Sequence, residues 1–223
     1  MADLTALVVG ATGGIGSAVA ALLEERGVAV TRLSRNDGLD LTDQASVNKA
    51  AEALGDARFD LIFNATGALV IDGHEPEKTI RAIEAEAMAQ QFALNAIGVA
   101  LLLRAFSPLL REDRKAVFAS LSARVGSIGD NGLGGWISYR AAKAAQNQIL
   151  RTASIEIARQ NKEAIVVALH PGTVETPLTA KYAANYPTIT PEKSAEALLG
   201  VIDKLTPEDT GSFWDWKGKR VEW

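Results

Sequence analysis

Tyr139 and Lys143 stand four residues apart in "GWISYRAAKAA", where a helix is predicted to begin. Four residues is about one helical turn, so both side chains project from the same face. A phenol beside an ammonium can exchange a proton with a substrate oxygen, because a neighbouring cation lowers the phenol from its ordinary pKa of about 10. The same pair also suits an ordinary surface helix carrying an aromatic ring and a snorkelling lysine. A second stretch, "GATGGIG" (10–16), lies between an apolar run and a helical pattern. Its glycines let the backbone turn sharply and approach a pyrophosphate, whose charge amides at a helix N-terminus would meet. The spacing is Gly10-x-x-x-Gly14-x-Gly16 rather than G-x-G-x-x-G, and a plain turn before a helix is the alternative.

The elements that must position these groups follow from periodicity. Short apolar runs predict strands at 4–9, 28–33, 59–64, 115–121, 164–170 and 211–216. Helical patterns cover 15–27, 42–55, 77–111, 138–160 and 191–205, with Thr42 or Asp43 as a cap and Gly27 and Gly55 as stops. Near-continuous apolar strands alternating with helices predict a Rossmann-type doubly wound α/β fold, a parallel sheet covered on both faces, as one domain over 1–223. Only eight residues, "SRNDGLDL", separate Leu33 from Thr42. A parallel crossover needs about a dozen or more, so no helix and parallel strand fit there and strand 28–33 becomes an edge. "NATG" (64–67), "LSARVGS" (121–127) and "HPGTVETP" (170–177) then close further strands at the same end of the sheet as the glycine loop. Ligands of open α/β sheets bind beyond the carboxyl ends of strands. Asn64 could equally be a turn residue, and Ser120, Ser122 and Ser127 all offer hydroxyls.

Composition excludes several classes. The net charge of −4 argues against a broad nucleic-acid footprint, which needs a basic face. With no cysteine there is neither disulfide nor thiolate metal site, and His74 and His170 form no ligand pair, so no metal is expected. The N-terminus lacks the charged region of a secretory signal, and the apolar runs are read as too short for a membrane span, so the expectation is a soluble cytoplasmic protein.

Taken together, the glycine loop, "DL" at 40–41, "NATG", Asn95 in "LNAIG", Ser122, the "YRAAK" pair and "PGTVET" resemble the short-chain dehydrogenase/reductase family over nearly the whole chain. "SARVGSIGDNGLGGWISYRAAKAA" and "GSFWDWKGKRVEW" look most like its C-factor-like branch. The resemblance implies a nicotinamide-dependent oxidoreductase with Tyr139 as general acid/base. Lys143 would supply the ammonium and hold the nicotinamide ribose, Ser122 would bond the substrate oxygen, and Asn95 would hold a water relaying protons from Lys143. It further implies dinucleotide contacts from Gly10, Thr12, Gly13, Gly14, Ile15 and Gly16. Ser34, Arg35, Asp40 and Leu41 would follow after the second strand, then Asn64, Ala65 and Gly67, and finally Pro171, Gly172, Val174 and Thr176. A non-catalytic redox sensor or signalling protein on the same fold is the rival class.

Two departures from the family pattern stand out. Ser122 precedes Tyr139 by 17 residues, a few more than usual, with "GDNGLGGW" making up the extra, so the hydroxyl is that of Ser122 or of a neighbour. Trp136 in that insertion either lines a substrate pocket or packs beneath the loop. The other departure is the missing edge strand. No acidic residue closes strand 28–33, whereas Arg35 offers a planar fork for a 2′-phosphate beside the Ser34 hydroxyl. NADP(H) is therefore expected over NAD(H), with Asp37 as a competing ribose ligand and Asp40 meeting the adenine amino group by resemblance. "LTAKYAANYPTIT" (178–190) resembles the family's substrate-binding loop. Helices 77–111 and 138–160 have apolar positions left over, and a homodimer or homotetramer acting on a small carbonyl or alcohol is expected.

Overall fold

A computed structural model describes residues 4–176 and 187–223. Most of the stretch 178–190, expected to bind substrate, therefore lies outside the described residues. Six parallel strands form one sheet: β1 (Thr5–Val9), β2 (Ala29–Leu33), β3 (Leu61–Asn64), β4 (Ala116–Leu121), β5 (Ala164–His170) and β6 (Ser212–Asp215). Their order is β2-β1-β3-β4-β5-β6. Strand β2 is an edge, as the short loop requires. After Leu33 the chain makes one 3-10 turn at Arg35–Asp37, reverses at Gly38 (φ 82°) and enters α2 (Gln44–Leu54), whose first turn is capped by Asp43 accepting from Ala45 N.

Alternate residues of each strand feed two cores. Ala6, Val8, Phe63, Val117 and Val167 pack under α1 (Gly14–Glu25) and α6 (Pro191–Lys204). Leu7, Val9, Ile62, Phe118 and Val166 pack on the opposite face, with Val47 of α2 and the helices of the next segment. Burial on both sides is why these strands read as continuous apolar runs rather than alternating ones.

The expected helix 77–111 is shorter and interrupted. Residues 77–84 are not α-helical apart from a 3-10 turn at Ile80–Ala82. The helix proper is α3 (Ala85–Phe92), a π turn at Ala93–Ile97 and α4 (Gly98–Phe106). By length and composition Ala85–Leu109 could cross a membrane, with a mean hydropathy of 1.6 over an 18-residue stretch of it, which corrects the reading that no apolar stretch is long enough. In the fold its residues Val99, Leu102, Leu103 and Phe106 lie in the core. The helix α5 (Ile137–Gln160) packs beside it and against β5.

Candidate active site

The glycine loop closes on itself between β1 and α1. A Cβ on Gly16 would lie 2.2 Å from Gly10 O, and one on Gly10 would lie 3.1 Å from Ala65 C, so a side chain at either would fill the cradle. Gly10 also needs its positive φ of 83°. Gly13 donates to Gly10 O and is the N-cap of α1, which has no capping side chain and no acid in its first turn. The first amides of α1 are thus left for an anion. Thr12 is exposed on the loop and Ile15 lines the cavity described below. The loop after β5 abuts the cradle: a Cβ on Gly14 would meet Thr176 Cγ2 at 2.8 Å.

At the end of β2 the expected adenosine contacts are unequal. Ser34 is buried, and its hydroxyl donates to Asp37 Oδ2 (2.7 Å) while accepting from Asn36 N (3.2 Å). Asp37, the competing ribose ligand, is therefore tied to Ser34. Asp40 Oδ1 accepts from Thr42 N and Thr42 Oγ1, which holds the carboxyl below its ordinary range, with a smaller contribution from the Arg35 charge. Leu41 sends its side chain into the core against Gly98. The Arg35 guanidinium is exposed. Asn64 is fully buried; it accepts from Thr66 and donates to Ser120 Oγ, so it shapes the loop at 64–67 rather than reaching out of it.

Beyond the carboxyl ends of β3, β4 and β5 lies a cavity of about 730 Å³. Ala65 and Gly67 line it from the loop after β3, and Pro171, Gly172, Val174 and Thr176 from the loop after β5. Ser122, Tyr139 and Lys143 line it as well, whereas Ser120 and Ser127 do not. Of the three serines, then, Ser122 is the one facing the space. Its Oγ donates to Asn147 Oδ1 (2.6 Å), and Asn147 Nδ2 donates to Gly126 O (3.3 Å). Trp136 also lines the cavity, edge-on to Tyr139 at 6.4 Å between ring centres.

Tyr139 and Lys143 occupy successive turns of α5, with Nζ 5.8 Å from the Tyr139 ring centre. Burial raises the Tyr139 hydroxyl above its ordinary pKa and lowers Lys143 to about 7. This corrects the expectation that the cation lowers the phenol. In the protein alone desolvation governs both groups, and an amine titrating near 7 carries only part of its charge at neutral pH. Asn95 sits in the π turn, buried; its Oδ1 accepts from Ala68 N (3.2 Å) and its Nδ2 donates to Ala68 O (2.9 Å) and Gln91 Oε1 (2.7 Å). A Cβ on Gly67 would lie 2.9 Å from Asn95 Oδ1 and 3.3 Å from Lys143 Nζ, so the bare Cα of Gly67 separates the two.

Several residues of this frame carry no sequence signal of their own. Glu77 reaches the start of α5: its backbone oxygen accepts from Trp136 N (2.5 Å), and its carboxylate accepts from Ser138 N (3.2 Å) and the Ser138 hydroxyl. The turn it fixes is left-handed at three successive residues, Gly134, Gly135 and Trp136 (φ 54°). His170 also lines the cavity; burial holds it neutral, down to about 4, and its Nδ1 accepts from Arg124 N. The C-terminal tail braces the insertion from below, with Gly129 N donating to Trp223 O (3.2 Å) and Trp223 stacked on Phe213.

The short chain dehydrogenase family pattern matches residues 38–187. A 1-hydroxy-2-glutathionyl-2-methyl-3-butene dehydrogenase from Rhodococcus sp. (strain AD45) is 32% identical, over 98% of this chain and 99% of its own. C-signal from Myxococcus xanthus is 35% identical over 61% of this chain and 78% of its own. The NADPH-bound carbonyl reductase from chicken fatty liver has a similar solved structure, with a TM-score of 0.84 and 26% identity over 99% of this chain and 94% of that one.

Proposed function

Because the chain belongs to the short-chain dehydrogenase/reductase family, we propose that it moves a hydride between NADP(H) and the carbonyl or secondary alcohol carbon of a small molecule. The observation that carries this reading is the convergence of Ser122, Tyr139 and Lys143 on one cavity beside the glycine cradle. That cradle fits a dinucleotide: side chains are excluded where the backbone must approach phosphate, and the open amides of α1 favour negative charge. The loop at 10–16 would hold the pyrophosphate, Arg35 the adenosine 2′-phosphate, and Asp40 and Leu41 the adenine, with the buried Ser34 hydroxyl committed to Asp37. Lys143 with residues 64–67 and 171–176 would hold the nicotinamide end. When bound, the dinucleotide supplies or takes up the hydride.

The chain's own residues handle the proton. Burial keeps Tyr139 protonated, so it is poised to donate to the substrate oxygen as a carbonyl becomes an alcohol, and in the reverse direction it takes that proton back. Ser122 donates to Asn147 in the protein alone; turned toward the cavity, the same hydroxyl donates instead to the substrate oxygen. Charged Lys143 stabilises the phenolate left behind. The NADPH held by the chicken carbonyl reductase and the absence of an acid closing β2 both support NADP(H). Leu69, Leu121, Val125, Leu133 and Trp136 give the substrate region an apolar lining. Pairing of the α3–α5 face in a homodimer or homotetramer, in the cytoplasm, completes the proposal.

A panel of ketones, aldehydes and alcohols, followed by the change in nicotinamide absorbance, tests it. With any substrate found, Tyr139→Phe should cut turnover by about 10²–10⁴-fold while leaving dinucleotide affinity unchanged. Full activity of that variant would sink the assignment. Tight dinucleotide binding without turnover of any member of the panel would favour the sensor reading.

A further inference from the structure

Gln146 lies one turn beyond Lys143 on the buried face of α5 and is itself fully buried. Its Oε1 accepts from Lys143 Nζ at 2.8 Å, and Leu121 O accepts from the same nitrogen at 3.4 Å. The amide orientation is set by its partners. A backbone carbonyl can only accept, so the Gln146 atom 2.9 Å from Leu121 O is Nε2, which leaves Oε1 against Lys143. Nε2 also donates to Ser120 Oγ (3.0 Å), which accepts in addition from Asn64 Nδ2 (2.9 Å). A buried polar chain thus runs from the Lys143 amine through β4 to β3 and the loop at 64–67.

We propose that Gln146 is a positioning residue: it fixes the Lys143 amine in the cavity wall and keeps it able to carry charge there. The inference rests on the role given to Lys143 above. An amine this deep sheds its proton unless acceptors compensate for lost water, and the Gln146 oxygen is the nearer of the two it has. The other groups facing the amine are Tyr139 on its own helix and, across Gly67, the uncharged Asn95. His170 shares the cavity but is held neutral. Among the described residues no carboxylate contributes to the titration of Lys143, so Gln146 has no charged substitute.

The test reads Lys143 directly, by the pH dependence of its ¹³Cε resonance in lysine-labelled protein, without turnover. A hydrogen bond to a charged group contributes about 1.5–3 kcal/mol, or roughly one to two pH units. Gln146→Met, which keeps the volume and removes the acceptor, should lower the Lys143 midpoint by about one unit. Gln146→Glu, near-isosteric and anionic, should raise it. The alkaline limb of kcat/KM should move in the same two directions. A folded Gln146→Met with an unchanged midpoint, or both variants shifting the same way, overturns the proposal. Should Gln146→Met lose its cooperative melt, Gln146→Glu decides alone: a rise supports the proposal and no change overturns it. Midpoints that move while the pH–rate limb stays put would uphold Gln146 and refute the catalytic role of Lys143.

Discussion

Arg35→Ala should convert an NADP(H)-selective protein into a nearly indifferent one, and the structure sets the size of the effect. Of the groups at the end of β2, the Ser34 hydroxyl has given its one proton to Asp37, and Asp40 Oδ1 is engaged twice by Thr42. Selectivity for a 2′-phosphate therefore falls on Arg35 alone. Its guanidinium is exposed, so the two bonds of a bidentate fork are discounted to the net value of one charge-assisted bond, about 1.5–3 kcal/mol. At about 1.4 kcal/mol per decade, the Kd for NADPH should rise roughly ten- to hundredfold, with NADH changed by less than about twofold. Titration of each dinucleotide against intrinsic tryptophan fluorescence at low ionic strength measures both constants. The gap should narrow as salt rises toward 1 M, where the Debye length falls to about 3 Å. Arg35→Lys should recover only part, since an ammonium has no fork. Equal weakening of both dinucleotides, or an unmutated protein that holds NADH more tightly, would refute the reasoning and return the role to Asp37.

Three further outcomes are expected. Gly16→Ala places a methyl 2.2 Å from Gly10 O, an overlap costing about 1–3 kcal/mol; Tm should fall by about 2–4 °C per kcal/mol and dinucleotide binding should collapse, while Gly13→Ala, with 3.4 Å of room, keeps the Tm of the unmutated protein. Glu77→Ala leaves Ser138 with a buried unpaired amide and hydroxyl, so chemical denaturation should show a loss of about 1–3 kcal/mol together with lower kcat, and Glu77→Gln should restore most of both. Lys143 titrates near 7 when folded and near about 10.4 when unfolded, so between those values the unfolded chain binds the extra proton and stability rises with pH. Lys143→Met should flatten that rise in urea melts between pH 7 and 9; an unaltered slope would show that Lys143 is not desolvated.

The sheet and the groups that meet at the cavity were legible because their signals are local. Strands buried on both faces read as apolar runs, and the distance from Leu33 to Thr42 alone made β2 an edge. The side chains at 139, 143 and 146 share a helical face by spacing, so a glutamine on the Tyr139–Lys143 face was itself a readable signal. What escaped was set at long range. Residues 77–84 have helical periodicity, yet Glu77 is drawn to the start of α5, 61 residues away, and no local pattern announces that bond. Asn64 was taken as a dinucleotide ligand from the resemblance, but its side chain is committed to Thr66 and Ser120.

The pKa expectation failed for a related reason, and its failure explains why the frame exists. A spacing of four residues reveals a cation near a phenol but not how much water either retains. In the folded chain both are removed from water, which pushes Tyr139 toward its neutral acid and Lys143 toward its neutral amine. An uncharged pair keeps the proton in place but gives it up reluctantly, because the resulting phenolate is poorly stabilised. Oxygen acceptors are what would let the amine hold charge there, and Gln146 with Leu121 places two against it. A fixed first turn keeps the phenol at the cavity, and Glu77 with Trp136 and Ser138 supplies that. Each addition compensates for a cost of burial. The residues proposed to transfer the proton could thus be found by type and spacing, while those that would support them in a dry cavity had to be found by contact.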